Sequence, residues 1–151
     1  MFDLGGEKDM DEAAKVARRV QMQRELQRLR RSRDENTSTR NRLNSQIEDL
    51  RTTRHRLGNC IQNMIQVKSK LEHCHQNASP KEFAGGRRRC VESKLKTASN
   101  DIHREVERHE SNLSRISSRI NELNVSIDNL NSTIMRENSR IIDLEREMRN
   151  L

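Results

Sequence analysis

The chain of 151 residues has few of the side chains from which enzymes build pockets: it has no Trp, no Tyr and two Phe, while 35% of its residues are charged. Cores and ligand pockets draw on aromatic and large apolar residues. The sequence also lacks a Gly-rich phosphate loop, a nucleophile elbow and a convergent set of His and carboxylates. We therefore predict that the protein is not an enzyme and needs no cofactor.

Long apolar runs are also missing, so the sequence predicts no membrane span. The N-terminal stretch MFDLGGEKDMDEAAK is acidic, whereas a signal peptide has a basic start followed by an apolar segment. We therefore expect no signal peptide and a protein that is cytoplasmic at synthesis.

The apolar residues of the second half recur in a heptad repeat from Val106 to Leu151. With Leu113 at position a, only His109 and Glu137 interrupt the apolar series, both at position d. Six to seven such heptads are typical of a coiled-coil helix. A polar residue on the seam more often sets register or partner choice than performs chemistry, so neither is predicted to be catalytic.

The first half carries a weaker repeat from Leu43 to Leu71, and the two halves are separated by the only Pro, Pro80, and by Gly85 and Gly86. This pattern predicts an all-α fold: a long antiparallel helical hairpin, or coiled coil, with one turn near residues 77–88. The predicted organisation is a flexible N-terminus at residues 1–12 and one hairpin domain at 13–151, with helices at about 13–76 and 90–151 and a turn at about 77–89.

If residues whose numbers sum to about 166 face each other, apolar residues pair at four of five layers between Leu43 and Leu71. Beyond Leu43 the match fails, because residues 30–42 (RRSRDENTSTRNR) contain no apolar residue. The facing stripe of Ile and Leu would then lie in water, and such exposed apolar surface usually marks an association site. The predicted partner-binding residues are Ile120, Leu123, Ile127, Leu130, Ile134, Ile141 and Leu144.

Two other arrangements would also cover this stripe. In the first, the first helix breaks near Asp34 and the N-terminal segment packs back irregularly. In the second, two copies associate through their C-terminal halves, since Ile at a with Leu at d favours two parallel strands. A homodimer is therefore a second candidate for the oligomeric state.

The net charge of +7 is concentrated near the N-terminus. Between Lys15 and Arg42 ten basic residues stand against three acidic ones, and the other 20 basic residues are balanced by 20 acidic ones. A basic segment suits an anionic partner such as nucleic acid, lipid headgroups or an acidic protein surface, or else is a solvated face. The absence of Tyr and Trp, of a zinc finger and of a basic zipper argues against nucleic acid, although non-specific phosphate binding stays open.

The three cysteines are considered for a disulfide and for a metal site. Cys74 and Cys90 have numbers that sum to about the same value as those of facing residues in the predicted hairpin. A disulfide between them would close a loop of about 15 residues and would stabilise the fold by about 3 kcal/mol. The alternative is two free thiols, and Cys60 has no partner. His73, Cys74 and His75 are about 100° apart on a helix and cannot all reach one ion, so no metal site is predicted.

The turn contains Phe83-Ala84-Gly85 followed by Gly86 and three arginines. It resembles the Trp-X-Gly turn of the small helical-hairpin proteins that accompany type VII secretion in Gram-positive bacteria. In this resemblance Phe83 takes the place of the Trp, whose ring plugs the end of the seam, and Gly85 that of the Gly, which permits a positive φ. The Ser- and Asn-rich heptads SRISSRINELNVSIDNLNSTI are similar to the YwqH-like branch, whose genes accompany LXG-type toxins.

The resemblance implies a non-catalytic, chaperone-like targeting subunit that binds the helical N-terminal domain of an LXG-type toxin, with a second small helical protein as a further partner. It also implies export to the cell surface. The group's Tyr-X-X-X-Asp/Glu export signal has no counterpart in a chain without Tyr, so a partner would have to supply it. The alternative functions are a homodimeric coiled-coil scaffold and a basic hairpin that binds nucleic acid.

Overall fold

The computed structural model describes the backbone of residues 5–77 and 85–151 and the side chains of residues 12–74 and 85–151. Helix α1 runs over Gly5–Asn77 and helix α2 over Gly86–Arg149. The two helices pack against each other, which confirms the predicted all-α helical hairpin. Within the described ranges only Gly85, Asn150 and Leu151 are not helical.

Helix α1 begins at Gly5, earlier than the predicted residue 13, and continues without a break through residues 30–42. Residues 30–42 contain neither Pro nor Gly, so nothing in them interrupts the helix. The alternative of a break near Asp34 is therefore wrong.

The start of helix α2 depends on Gly85, whose φ is +74°. This left-handed conformation is accessible to glycine at little cost because glycine has no Cβ. The amide of Arg89 then donates to the carbonyl of Gly85 at 3.5 Å, which closes the first turn of α2. Helix α2 thus begins at Gly86, four residues before the predicted residue 90. Phe83, the other residue of the predicted turn motif, lies outside the described residues.

Replacing Gly85 with Ala should lower the free energy of unfolding by about 1 kcal/mol or more, because a Cβ at positive φ is strained. No atom lies within 4 Å of the new Cβ, so the effect comes from the backbone alone. The matched control is Gly86→Ala, whose Cβ also meets nothing within 4 Å but whose φ is not positive. The midpoint of thermal unfolding of the Gly86→Ala control should equal or exceed that of the wild type. Equal midpoints for the two variants would contradict this account.

The chain divides into two compact units. Unit 1 contains Met1–Ser45 and Leu123–Leu151, and unit 2 contains Gln46–Glu122. In each unit a segment of α1 packs antiparallel against a segment of α2.

The core of unit 1 lies where the N-terminal part of α1 meets the C-terminal part of α2. Leu144 is its most buried member, with 1% of its surface exposed. The methionine and leucines of α1 that contribute to it follow the helical spacing of four and three residues, which places them on one side of the helix. The core consists of Met22, Leu26, Ile141 and Leu144, with Leu29, Met148 and Leu151 packed against it.

Unit 2 has a thinner core. Its buried apolar residues are Ile47, Ile61, Val106 and Ile120. Near the turn, Ser99 Oγ donates to Glu72 Oε1 at 3.3 Å. This bond indicates which residues of the two helices lie near each other at that end of the unit.

Candidate partner interface

The apolar stripe predicted to bind a partner is already covered by the chain itself. Five of its seven members are buried and only Ile127 and Leu130 are half-buried. The prediction that the stripe lacks intrachain cover is therefore wrong, and most of the stripe offers no free surface. The buried members, with their exposed fractions, are Ile120 (5%), Leu123 (4%), Ile134 (9%), Ile141 (5%) and Leu144 (1%).

At the C-terminal end of the stripe, Ile141 and Leu144 pack against Met22 and Leu26 of α1. Farther toward the turn, α1 has no apolar residue between positions 30 and 42, and Ser32 and Asn36 are half-buried there. Arg33 is one-third exposed, and Arg40 is also half-buried. The hydrocarbon stems of such arginines can cover apolar surface while the guanidinium stays in water. The stripe thus has apolar partners on α1 at its C-terminal end and polar residues of α1 beside its middle part.

Glu137, the polar residue at a d position, explains why these short polar residues suit the seam. Ser32 Oγ donates to Glu137 Oε1 at 2.6 Å, and Asn36 Nδ2 lies 3.1 and 3.2 Å from the two carboxylate oxygens. One helical turn away, Arg40 Nη1 donates to Asn131 Oδ1 at 3.3 Å. A carboxylate on the seam is hydrogen-bonded only where donors face it. The hydrogen bonds of Glu137 therefore favour one alignment of α1 along α2 over others.

Ion pairs at the edge of unit 1 agree with the same register. Arg30 Nη2 lies 2.7 Å from Glu145 Oε1, and Arg140 Nε lies 3.0 Å from Glu25 Oε1. The hydrogen bond from Arg140 to Glu25, and then the charge of that carboxylate, raise the pKa of Arg140 above its ordinary value. These groups are exposed, so they help to align the helices but stabilise the fold little.

A line of apolar side chains does stay accessible on α2, beside the covered stripe. Met135 is 70% exposed and Ile142 is 52% exposed. The half-buried Ile127 lies eight residues before Met135, and Ile142 lies seven residues after it, so the three residues fall on one side of the helix. We call Ile127, Met135 and Ile142 the apolar line. Met135 and Ile142 were not predicted as partner-binding residues, because both lie outside the a and d positions of the heptad repeat, whereas Ile127 was.

The other polar seam residue, His109, lies in a groove of unit 2 with a volume of about 880 Å³. Leu50, Leu57 and Ile116 line the same groove. His109 Nδ1 is buried and has no partner among the described residues, while Nε2 lies 3.9 Å from Glu105 Oε2.

The two cysteines considered for a disulfide are free thiols. Cys74 and Cys90 are both exposed, as is Cys60. The bond between Ser99 and Glu72 explains the separation, because it places Cys74 opposite a position about seven residues after Cys90. Seven residues span about 10 Å of helix, and a disulfide needs Cα atoms within about 7 Å. Of the two alternatives for Cys74 and Cys90, the structure has the free thiols.

Metal-binding groups do not gather in the described part of the chain: no three His, Cys, Asp or Glu side chains there are placed to hold one ion. His75 lies outside the residues whose side chains are described. None of the described helices is long and apolar enough to cross a membrane. Comparisons with protein-family models, with curated proteins and with solved structures find no match to this chain.

Proposed function

We propose that the protein is a non-catalytic helical hairpin that binds a helix of a larger protein. The observation that supports this proposal is the apolar line on α2, with Met135 70% and Ile142 52% exposed beside a seam that α1 has already filled. A helix laid along this line would bury side chains at helical spacing without opening the hairpin. This is the usual way in which a helix binds a surface.

The stripe itself cannot be the contact surface in a closed hairpin. Leu144 and Ile141 lie in the core of unit 1 with Met22 and Leu26, so a partner could reach them only by displacing α1. Displacement would cost the burial that holds unit 1 together. We therefore assign the contact to the exposed apolar line.

The more specific proposal is a chaperone-like targeting subunit for an LXG-type toxin of a type VII secretion system. It rests on the resemblance of Phe83-Ala84-Gly85 to the Trp-X-Gly turn. The positive φ of Gly85 supports the role that the resemblance gives to this glycine. In this proposal the protein is made in the cytoplasm and is exported with the toxin, whose helical N-terminal domain supplies the helix that binds the apolar line.

The test is capture of the tagged protein from its native host, followed by mass spectrometry and measurement of the mass of the complex. Wild-type protein should bring down a stoichiometric, larger protein with a helical N-terminal domain. The double variant Met135→Asp with Ile142→Asp should reduce its recovery at least about 10-fold, because each buried carboxylate would lack a partner. Both positions are exposed, so the hairpin should keep its helical circular dichroism.

The matched control is Asn129→Asp with Arg136→Gln. Both control positions are exposed, they are also seven residues apart, and the pair changes the net charge by the same two units. They lie on another side of α2, so recovery of the partner should be unchanged. Equal losses in the two variants would overturn the assignment to the apolar line. If the protein is recovered alone, with a complex mass twice the monomer mass of 17.8 kDa, the homodimeric scaffold would be favoured instead.

A further inference from the structure

The arginines in the basic part of α1 form two groups that the sequence does not distinguish. Those that reach toward α2 have partners: Arg18 Nη2 lies 3.9 Å from Glu147 Oε2, and Arg30 pairs with Glu145. A second group is exposed and makes no ion pair or hydrogen bond with any residue in the described part of the chain. This second group consists of Arg19, Arg24, Arg28, Arg31 and Arg42, and we call the last four, which share one side of α1, the arginine face.

The members of the arginine face share one side of α1. Their spacings of four, three and eleven residues place them within about 60° of each other at about 100° per residue. This side is opposite the one that carries the buried Met22 and Leu26. From the first arginine to the last the face extends over about 27 Å of helix. A groove of about 360 Å³ follows its first part, lined by Arg24, Gln27, Arg28, Arg31, Ser32 and Glu35.

The composition of this face indicates the chemistry of its partner. Between Arg24 and Arg42 the same side of α1 carries no apolar residue, and Glu35 is its one acidic residue. Protein interfaces are usually anchored by a few buried aromatic or apolar side chains. Helices that lie in a lipid surface need an apolar face to insert. Guanidinium groups alone are well suited to phosphate, to which they donate paired hydrogen bonds.

We propose that the arginine face binds the sugar–phosphate backbone of double-stranded nucleic acid without reading its sequence. A duplex presents a continuous row of phosphates, which four arginines along a straight helix can contact at once. Single strands are usually held by stacking bases on aromatic rings, and the chain has no Tyr or Trp. This surface is on α1, whereas the apolar line is on α2, so the proposal does not depend on the proposed protein partner.

The test is the salt dependence of binding to a random-sequence DNA duplex of about three helical turns, measured by fluorescence anisotropy between about 50 and 200 mM salt. Four phosphate contacts predict a slope of log K against log salt near −3.6, at about −0.9 for each contact. The triple variant Arg24→Gln, Arg28→Gln and Arg31→Gln should reduce the slope to about −0.9. It should also lower the affinity near 100 mM salt at least about 10-fold.

The matched control removes three arginines that are paired on α2: Arg104→Gln, Arg108→Gln and Arg119→Gln. Their partners are Asp101, Glu105 and Glu122, and the net charge changes by the same three units. This control should keep most of the wild-type slope. The single variant Arg28→Gln should lose about 0.9 of the slope, which provides a second test if the triple variant loses helicity.

Three results would overturn the proposal. The first is absence of duplex binding by wild-type protein at about 50 mM salt. The second is equal loss of binding in the triple variant and its control, which would mean that only net charge matters. The third is a better ligand of another class: single strands bound at least about 10-fold more tightly than the duplex, or vesicles of anionic lipid that retain the protein when the duplex does not.

Discussion

Replacing Leu144 with Ala should lower the free energy of unfolding by about 2 to 3 kcal/mol. Leu144 has 1% of its surface exposed and lies in the core of unit 1 with Met22, Leu26 and Ile141. Truncating a buried Leu removes its transfer free energy and leaves a cavity, at a cost of about 2 to 5 kcal/mol. We expect the lower part of this range, because a core between two helices can partly close around the gap. Urea unfolding followed by far-ultraviolet circular dichroism measures the change.

The control for this variant is Ile142→Ala, two residues away on the same helix. Ile142 is 52% exposed, so its truncation should cost less than about 1 kcal/mol. The comparison separates burial from helix propensity, since both variants place Ala in the same part of α2. If both variants unfold at the same urea concentration as the wild type, α1 does not cover the stripe in solution. The C-terminal half of α2 would then be free to bind a partner helix.

Replacing Glu137 with Ala should destabilise the hairpin by about 1 to 3 kcal/mol, the second largest effect that we expect. The change removes the acceptor for Ser32 Oγ, at 2.6 Å, and for Asn36 Nδ2, at 3.1 and 3.2 Å. These donors are partly buried, so water restores their hydrogen bonds only in part. The conservative variant Glu137→Gln keeps an oxygen acceptor at the same position and should cost less.

A double-mutant cycle with Ser32→Ala measures whether the interaction crosses the seam. Each single variant loses the bond between Ser32 and Glu137, so the double variant should be less destabilised than the sum of the two. The expected coupling energy is about 0.5 to 1.5 kcal/mol. Strict additivity of the two changes would contradict the observed pairing of residues 32 and 137.

Much of the fold could be predicted from local patterns. The heptad repeat from Val106 onward predicts a helix, and these residues form part of one continuous helix, α2. The prediction was possible because the repeat is close to the helical period and can be read from the sequence alone. The pair Gly85 and Gly86 marked the end of the turn, and Gly85 has the positive φ that only glycine adopts at little cost. Glu137 was predicted to have a register role rather than a chemical one, and it is held by two donors from the facing helix.

The candidate interface was harder to predict from the sequence. The prediction assumed that an apolar residue of α2 is covered only where an apolar residue of α1 faces it. Residues 30–42 did not satisfy that rule, yet α1 continues through them and covers the stripe. Cover depends on how closely two backbones approach, and the heptad pattern does not measure that distance. The core residues Met22, Leu26 and Leu29 were available as a signal, because their spacing continues the helical period to the N-terminal side of the polar segment.

The sequence by itself determined that this protein is a helical hairpin, where its turn lies, and that its excess positive charge is concentrated near the N-terminus. These features depend on periodicity, glycine and charge counts, which are local or additive. Only the tertiary structure decided which apolar residues stay accessible, which arginines are left unpaired, and that Cys74 and Cys90 are not opposite each other. The physical reason is that exposure and pairing depend on the register between the two helices. That register is set by contacts across the seam, such as those of Glu137 with Ser32 and Asn36, between residues about 100 positions apart in the chain.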